Sequence, residues 1–277
     1  YTKKFDAFIL GSDQVWNPML LGGDYYTLTW VDSRRPKVTY ASSFGVSEIP
    51  ASQVKKTKEY LSRFSMISVR EKQGAEIVEK LTGKKAEVCC DPTVLTDRKR
   101  WDELSGACPF VSEKYIFCYF IGNNPSQREF AKKLAQKTDC KILAVKHIDE
   151  YIKSDDDFGN IDYLEVGPKE FVNFIRYATY VCTDSFHGTI FSIMYNKTFF
   201  TFKRFSDSQK SSMNSRVKNI LSIVGLSNRL FENSITPDAA LAYQVDWSDV
   251  NKRLNDFRKS SREYFERAVK CLKGAQE

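Results

Sequence analysis

Histidine is scarce in this chain: two in 277 residues, His147 and His187. With no clustered Cys, Asp or Glu spacing beside them, they give no pattern for a dedicated transition-metal site. The seven cysteines form no CxxC pair and are odd in number. That argues against a disulfide framework or a zinc ribbon. Cys118 and Cys182 sit inside apolar runs, so the expectation is of reduced core cysteines in a cytoplasmic protein. GxGxxG, GxxxxGK[ST] and GxSxG are all missing, so the dinucleotide, P-loop and nucleophile-elbow fingerprints are absent. No apolar run approaches the ~20 residues of a membrane span. No signal-peptide pattern opens the sequence as given, and no internal repeat stands out.

What is present reads as a globular α/β chain. Apolar residues make up 42% and charged residues 28%, ordinary proportions for a folded domain. Aromatics reach 14%, enough for a well-filled core or for a cleft that stacks rings. The net charge is +7. Its bland reading is a solvated surface; its sharper reading is an anionic substrate. The basic residues are dispersed and no nucleic-acid motif is present, so nucleic acid is not an expected partner.

Short β-rich runs alternate with amphipathic helical ones. FDAFIL (5–10), KVTYA (37–41), MISV (66–69), AEVCC (86–90), YIFCYFI (115–121), KILAVKH (141–147), YVCT (180–183) and TFFTF (198–202) read as strands. Continuous apolar runs such as 115–121 suit parallel strands buried on both faces. Helices are expected over about 52–64, 70–81 with Gly83 as its stop, near Trp101, and from a capping box at Ser126–Glu129 to about Lys137. Others should start at Gly167-Pro168 and near His187, and a long one should run from about Asp246 to Leu272. This β-α-β-α rhythm predicts parallel sheets covered by helices. The breaks near 105–114 and 149–162 suggest an N-terminal Rossmann-like lobe over 1–107 and a C-terminal one over 108–277. The long terminal helix would pack back on the first lobe.

Ligands bind beyond the carboxyl ends of strands in such sheets. Five strand ends here carry polar residues: Gly11-Ser12-Asp13-Gln14, Ser42-Ser43-Phe44-Gly45, Ser68-Val69-Arg70-Glu71, Asp91-Pro92-Thr93 and Thr183-Asp184-Ser185-Phe186-His187-Gly188. Each alone could be only a turn or cap; together they suggest a lined cleft. His187 falls in the first turn of a helix directly after a strand, where an imidazole can trade a proton at neutral pH. Asp184 and Ser185 are near enough to cap the helix or orient the ring. His147, at another strand end, is the rival candidate but lacks an adjacent glycine. Arg70 can bind a carboxylate or phosphate bidentately, or it is a solvated arginine paired with Glu71 or Glu76. The Ser-rich basic stretch 203–216 reads as a surface loop. Its functional reading is a lid closing over an anion through Lys203, Arg204, Lys210 or Arg216.

These pieces, in order, resemble the polysaccharide pyruvyl transferase family. The resemblance rests on FDAFILGSDQVWNP (5–18), TYASSFG (39–45), ISVREKQGAEIVEKL (67–81), VCCDPTVL (88–95), TDSFHGTIFSIMYNKTFF (183–200) and the NSR of 211–221. It implies two Rossmann-like lobes of GT-B type with the active site between them. It also implies an N-terminal lobe lacking its first βα unit, since members usually carry one upstream. The implied reaction moves pyruvyl from phosphoenolpyruvate to two hydroxyls of a glycan sugar, forming a cyclic ketal. No cofactor is implied: phosphoenolpyruvate is a donor substrate, and the acceptor is a glycan or lipid-linked saccharide, with peripheral membrane contact in the latter case. On the matching positions, His187 would be the acid/base and Arg70 would hold the donor. Gly11, Ser12, Asp13, Ser43 and Ser185 would line the cleft and bind substrate. Members often carry arginine where this chain has Ser185, so Arg204 or Arg216 would supply the second cation. Two alternatives stand beside this reading: a GT-B glycosyltransferase using a nucleotide sugar, and a glycan-binding relative without catalysis.

Overall fold

A computed structural model describes residues 4–21, 23–146, 151–161, 165–205, 214–232 and 234–274. Its first elements are β1 (Phe8–Leu10), β2 (Lys37–Thr39), α1 (Val54–Ser62), β3 (Ser68–Val69), α2 (Lys72–Thr82), β4 (Glu87–Val88) and α3 (Pro92–Leu95). Then come α4 (Arg98–Ser105), β5 (Tyr115–Tyr119), α5 (Pro125–Thr138), β6 (Lys141–Ala144), α6 (Pro168–Tyr177), β7 (Tyr180–Thr183), α7 (Phe186–Met194) and β8 (Thr198–Phe202). The chain ends with α8 (Ser215–Ile223), β9 (Leu230–Phe231), α9 (Pro237–Leu241) and α10 (Trp247–Gly274).

The chain divides into two α/β units, one formed by 1–95, 205–219 and 254–277, the other by 96–204 and 220–253. In the first unit β1 pairs with β2 and β3 with β4, both parallel. Single bridges, Val38 to Met66 and Ser42 to Val69, join the two ladders. β2 is buried along its whole length. The first unit has two core clusters, and in one Trp16 meets Phe44, Tyr60 and Phe64 at ring separations of 5.1, 5.8 and 5.8 Å. The other carries Val38, Tyr40 and Cys89 against Tyr264, Ala268 and Leu272 of α10. Tyr264 Oη donates to Thr39 O at 2.9 Å, and Cys90 N donates to Ser261 Oγ at 2.9 Å. The end of the long helix is thereby fixed to the first unit's strands.

The second unit is a five-stranded parallel sheet in the order β6-β5-β7-β8-β9. β5 explains its own apolar run. Ile116 and Cys118 face α5 and the Phe130, Phe200 and Phe202 cluster, while Phe117 on the other face meets Phe171 and Phe174 of α6 at 5.6 and 5.9 Å. Alternate residues point to opposite faces, and both faces are covered. The chain leaves β5 for β6 on one side and returns to β7 on the other. The carboxyl ends of β5 and β7 therefore flank a topological switch point, where open parallel sheets bind ligands.

Three details differ from the sequence-based expectation. The first unit's N-terminal stretch ends at Leu95 rather than near 107. α4 and the residues after it are tied to α6 and α7: Asn173 Nδ2 donates to Ser105 O and Cys108 O, and Trp101 lies edge-on to Phe191 at 4.9 Å. The cap of α5 is Asn124, whose side chain accepts from Ser126 N, with Pro125 in the first turn; no capping box from Ser126 is formed. α8, β9 and α9 lay in stretches where no element was expected. Two expected features, His147 and Lys210, lie outside the described residues.

Candidate active site

The first unit gathers three of the expected site residues, Ser12, Asp13 and Arg70, at one strand edge, together with Asp91. Arg70, just after β3, is 3% exposed. Its Nη1 donates to Asp91 Oδ2 at 2.6 Å and its Nη2 to Asp13 Oδ1 at 3.0 Å. The two carboxylates differ in setting: the Asp91 side chain is 4% exposed and that of Asp13 65%. Ser12 Oγ joins them, 3.2 Å from Asp91 Oδ2 and 3.0 Å from Ala41 O. Asp13 has φ +74°, a conformation that costs a non-glycine residue about 1 kcal/mol or more. Its carbonyl accepts from Ser43 N at 2.8 Å, which holds the turn in place. Arg70 is therefore not a solvated arginine; it is a buried cation between two carboxylates.

Glu71 does something else. It is fully buried, and its Oε1 accepts from Ser43 Oγ, Phe44 N and Gly45 N at 2.9, 3.0 and 3.2 Å. Gly45 takes φ +66° there, and a Cβ on it would fall 2.5 Å from Gln14 Nε2, so the turn requires glycine. Complete burial raises the Glu71 carboxyl above its ordinary value. The positive charges of Arg70 and Arg216 and the bonds from Ser43 and Gly45 act in the opposite direction. Ser43, expected to line a cleft, is instead buried, with its hydroxyl committed to Glu71. Gly11 offers its carbonyl to Ser42 Oγ at 3.1 Å, and a Cβ on it would meet nothing within 4 Å.

The second unit places the other candidates at the β5/β7 switch point. β7 ends at Thr183, whose Oγ1 donates to Tyr119 O at 2.6 Å and accepts from Ser185 N at 3.0 Å. Ser185 is 2% exposed and is the N-cap of α7, accepting from Gly188 N at 3.3 Å. Its place in the fold is thus a helix cap rather than a lining residue. Gly188 lets the helix approach the strand, since a Cβ on it would lie 2.5 Å from Thr183 Oγ1. His187 is half-buried in the first turn, its ring edge-on to Phe186 at 5.5 Å. The amino end of the helix favours anions beside it.

Asp184 was expected to cap α7 or orient His187. Instead it reaches across to β5, accepting from Ile121 N at 2.6 Å and Gly122 N at 2.9 Å. Burial pushes its carboxyl pKa up, while those two amides and the charges of Arg204 and Arg128 pull it down. Arg204 follows β8 and lays its stem over Gly122: a Cβ there would be 2.9 Å from Arg204 Cγ and 2.8 Å from Asp184 Oδ2. Arg204 therefore belongs to the strand edge that carries His187. Arg216, in the first turn of α8, belongs to the first unit, where its charge acts on Glu71.

Asp91 and Asp184 stand at strand ends, but nothing in the sequence marks either as a binding residue. Glu71 reads there only as a surface partner of Arg70, and Gly122 and Asn219 carry no local signal. Among the described residues, no group of three or more His, Cys, Asp or Glu could hold a metal ion, and no helix is long and apolar enough to cross a membrane.

The sequence model of the family described as polysaccharide pyruvyl transferase matches residues 1–204. The chain belongs to that family. Its matched part takes in the first unit's Ser12–Asp13–Arg70–Asp91 cluster and the second unit's strand edge as far as Arg204. No curated protein matches this pyruvyl transferase family member. Among solved structures, a UDP-N-acetylglucosamine 2-epimerase of Listeria monocytogenes is similar at TM-score 0.52 and 10% identity, covering 92% of this chain and 68% of that one. Another, from Rickettsia bellii, has TM-score 0.42 and 13% identity over 96% of this chain and 76% of its own. The first likeness shows the fold alone: this family member has a GT-B-like α/β architecture with a long C-terminal helix.

Proposed function

We propose that this transferase moves a pyruvyl group from phosphoenolpyruvate to two hydroxyls of a glycan sugar, with His187 as the acid/base. One observation carries the reading: in a chain of this family, an imidazole stands on the first turn of α7 at the β5/β7 switch point. The acceptor is a saccharide on a lipid or nucleotide carrier, modified before export.

The chemistry is acid-initiated. His187, as imidazolium, gives its proton to the methylene carbon of the enol, which becomes the methyl group. Positive charge then develops at the central carbon. A sugar hydroxyl attacks that carbon and loses its proton, restoring the acid. A second hydroxyl attacks as the carbon–oxygen bond to phosphate breaks. Its proton leaves with inorganic phosphate, so two C–O bonds form for the one broken and the double bond lost.

The donor's acid groups need cations, and Ser185 cannot supply one. Arg204, on the same strand edge as His187, takes that part beside Asp184. Arg70 keeps its expected part by exchange. Buried Asp91 holds Nη1 fixed, while the exposed Asp13 yields Nη2 to a donor carboxylate or phosphate oxygen.

The test is His187→Ala. Ketal formation and phosphate release should be lost while the melting temperature stays nearly unchanged, because the ring is half-buried. Turnover retained alongside a large drop in stability would refute the assignment. Titration with nucleotide sugars decides the rival reading: saturable binding of one, with none of phosphoenolpyruvate, would replace this proposal with a glycosyltransferase.

A further inference from the structure

α2 begins without help from its own cap. Glu71 is its N-cap, in extended conformation, and makes no side-chain cap hydrogen bond. Its carboxylate is engaged instead by the Ser43–Gly45 turn. The first amide of the helix, Lys72 N, is one of the donors that a helix start leaves unpaired. It is met from far along the chain: Asn219 Oδ1 accepts from Lys72 N at 3.3 Å. The same carboxamide donates through Nδ2 to Arg70 O at 3.1 Å. One side chain thus grips the peptide groups on both sides of Glu71.

We infer that Asn219 is a positioning residue for Arg70, clamping the backbone from which the guanidinium reaches Asp13 and Asp91. Because Asn219 caps α2 from outside, Glu71 is released to hold the Ser43–Gly45 turn. Because it fixes Arg70 O, it also sets the direction in which a long side chain leaves its Cα, and a small rotation there is amplified at the guanidinium. A shift of ~1 Å in a positioned group can cost about 10²-fold in rate. Asn219 itself touches no substrate in this scheme. The functional consequence rests on the reading of Arg70 as a donor-binding residue; the clamp itself does not.

Two variants separate these claims. Asn219→Ala removes both bonds. Asn219→Asp keeps the acceptor for Lys72 N and loses the donor to Arg70 O, and it is read alone if the alanine variant does not fold. The side-chain Nε–Hε signal of Arg70, assigned by its loss in Arg70→Lys, is followed by ¹⁵N NMR. Phosphoenolpyruvate affinity is measured by calorimetry. The expected result is a displaced Arg70 signal in each variant and about tenfold weaker donor binding, the scale of one lost hydrogen bond, with acceptor KM unchanged. A signal left in place, or a moved signal with unaltered donor affinity, overturns the inference. If the unaltered protein binds no phosphoenolpyruvate, the donor assignment fails, and the Arg70 signal alone decides: displacement upholds the clamp and constancy overturns it.

Discussion

Arg70 and Asp91 form a buried ion pair, Nη1 to Oδ2 at 2.6 Å, with side chains 2% and 4% exposed. Removing one partner of such a pair leaves a charge out of water, which typically costs about 3–5 kcal/mol. Asp91→Ala should therefore be among the most destabilising single changes in the first unit. Its urea midpoint should drop far more than that of Asp13→Ala, whose side chain is 65% exposed and whose ion pair is worth about 1 kcal/mol or less. Equal losses from the two variants would mean that burial does not distinguish the two carboxylates.

The same asymmetry predicts an opposite effect on binding. If the donor replaces Asp13 on Arg70, neutralising that competitor should help the donor. Asp13→Asn should bind phosphoenolpyruvate several-fold more tightly, the range of about 0.5–1 kcal/mol expected of an exposed pair. Calorimetry at fixed ionic strength reads this directly. Weaker binding in the variant would instead make Asp13 a ligand of the donor or of its proton.

Much of this was legible in the sequence because the relevant signals are local. β7 and β8 fall on YVCT and TFFTF as read, and α2 stops at Gly83, which takes φ +72°. Strand ends are marked by local residues, so Ser12, Asp13 and Arg70 stand out as one group in the sequence itself. Which side chain answers which could not be read. Glu71 follows Arg70 and looked like its partner, yet successive residues around an extended N-cap diverge; Arg70 turned to Asp91 and Glu71 to the Ser43–Gly45 turn. Ser185 carried a strong capping signal in its own right, and the cap is what it became. The Asn219 clamp spans 147 and 149 residues, and no spacing rule reaches so far.

The approach of α7 to β7 yields a packing prediction. A Cβ on Gly188 would lie 2.5 Å from Thr183 Oγ1 and 3.1 Å from its Cβ, too close for the helix to stay in place. Gly188→Ala should cost about 1–3 kcal/mol, as overpacked cores do. Part of that cost should vanish in a Thr183→Ala background, where the clashing hydroxyl is gone. A double-mutant cycle should show a coupling of at least about 0.5 kcal/mol. Strict additivity would mean that the strain lies elsewhere. Activity should fall with Gly188→Ala as well, since the first turn of α7 carries His187.

Glu71 makes the stability of the first unit depend on pH in a direction that can be worked out. Burial raises its folded pKa above the ordinary 4.5, against the pull of Arg70, Arg216, Ser43 and Gly45. The folded protein then holds this proton more firmly than the unfolded chain does. Stability from Glu71 is fully present below 4.5 and is lost as pH rises through the raised folded value. Glu71→Gln keeps an oxygen for the turn but carries no titrating proton. The stability of the natural chain minus that of the glutamine variant should therefore decline as pH rises above the ordinary 4.5. Asp184, also pushed upward by burial, titrates in both proteins and cancels in the difference. A difference that climbs with pH would show that the arginines dominate and hold Glu71 below its ordinary value.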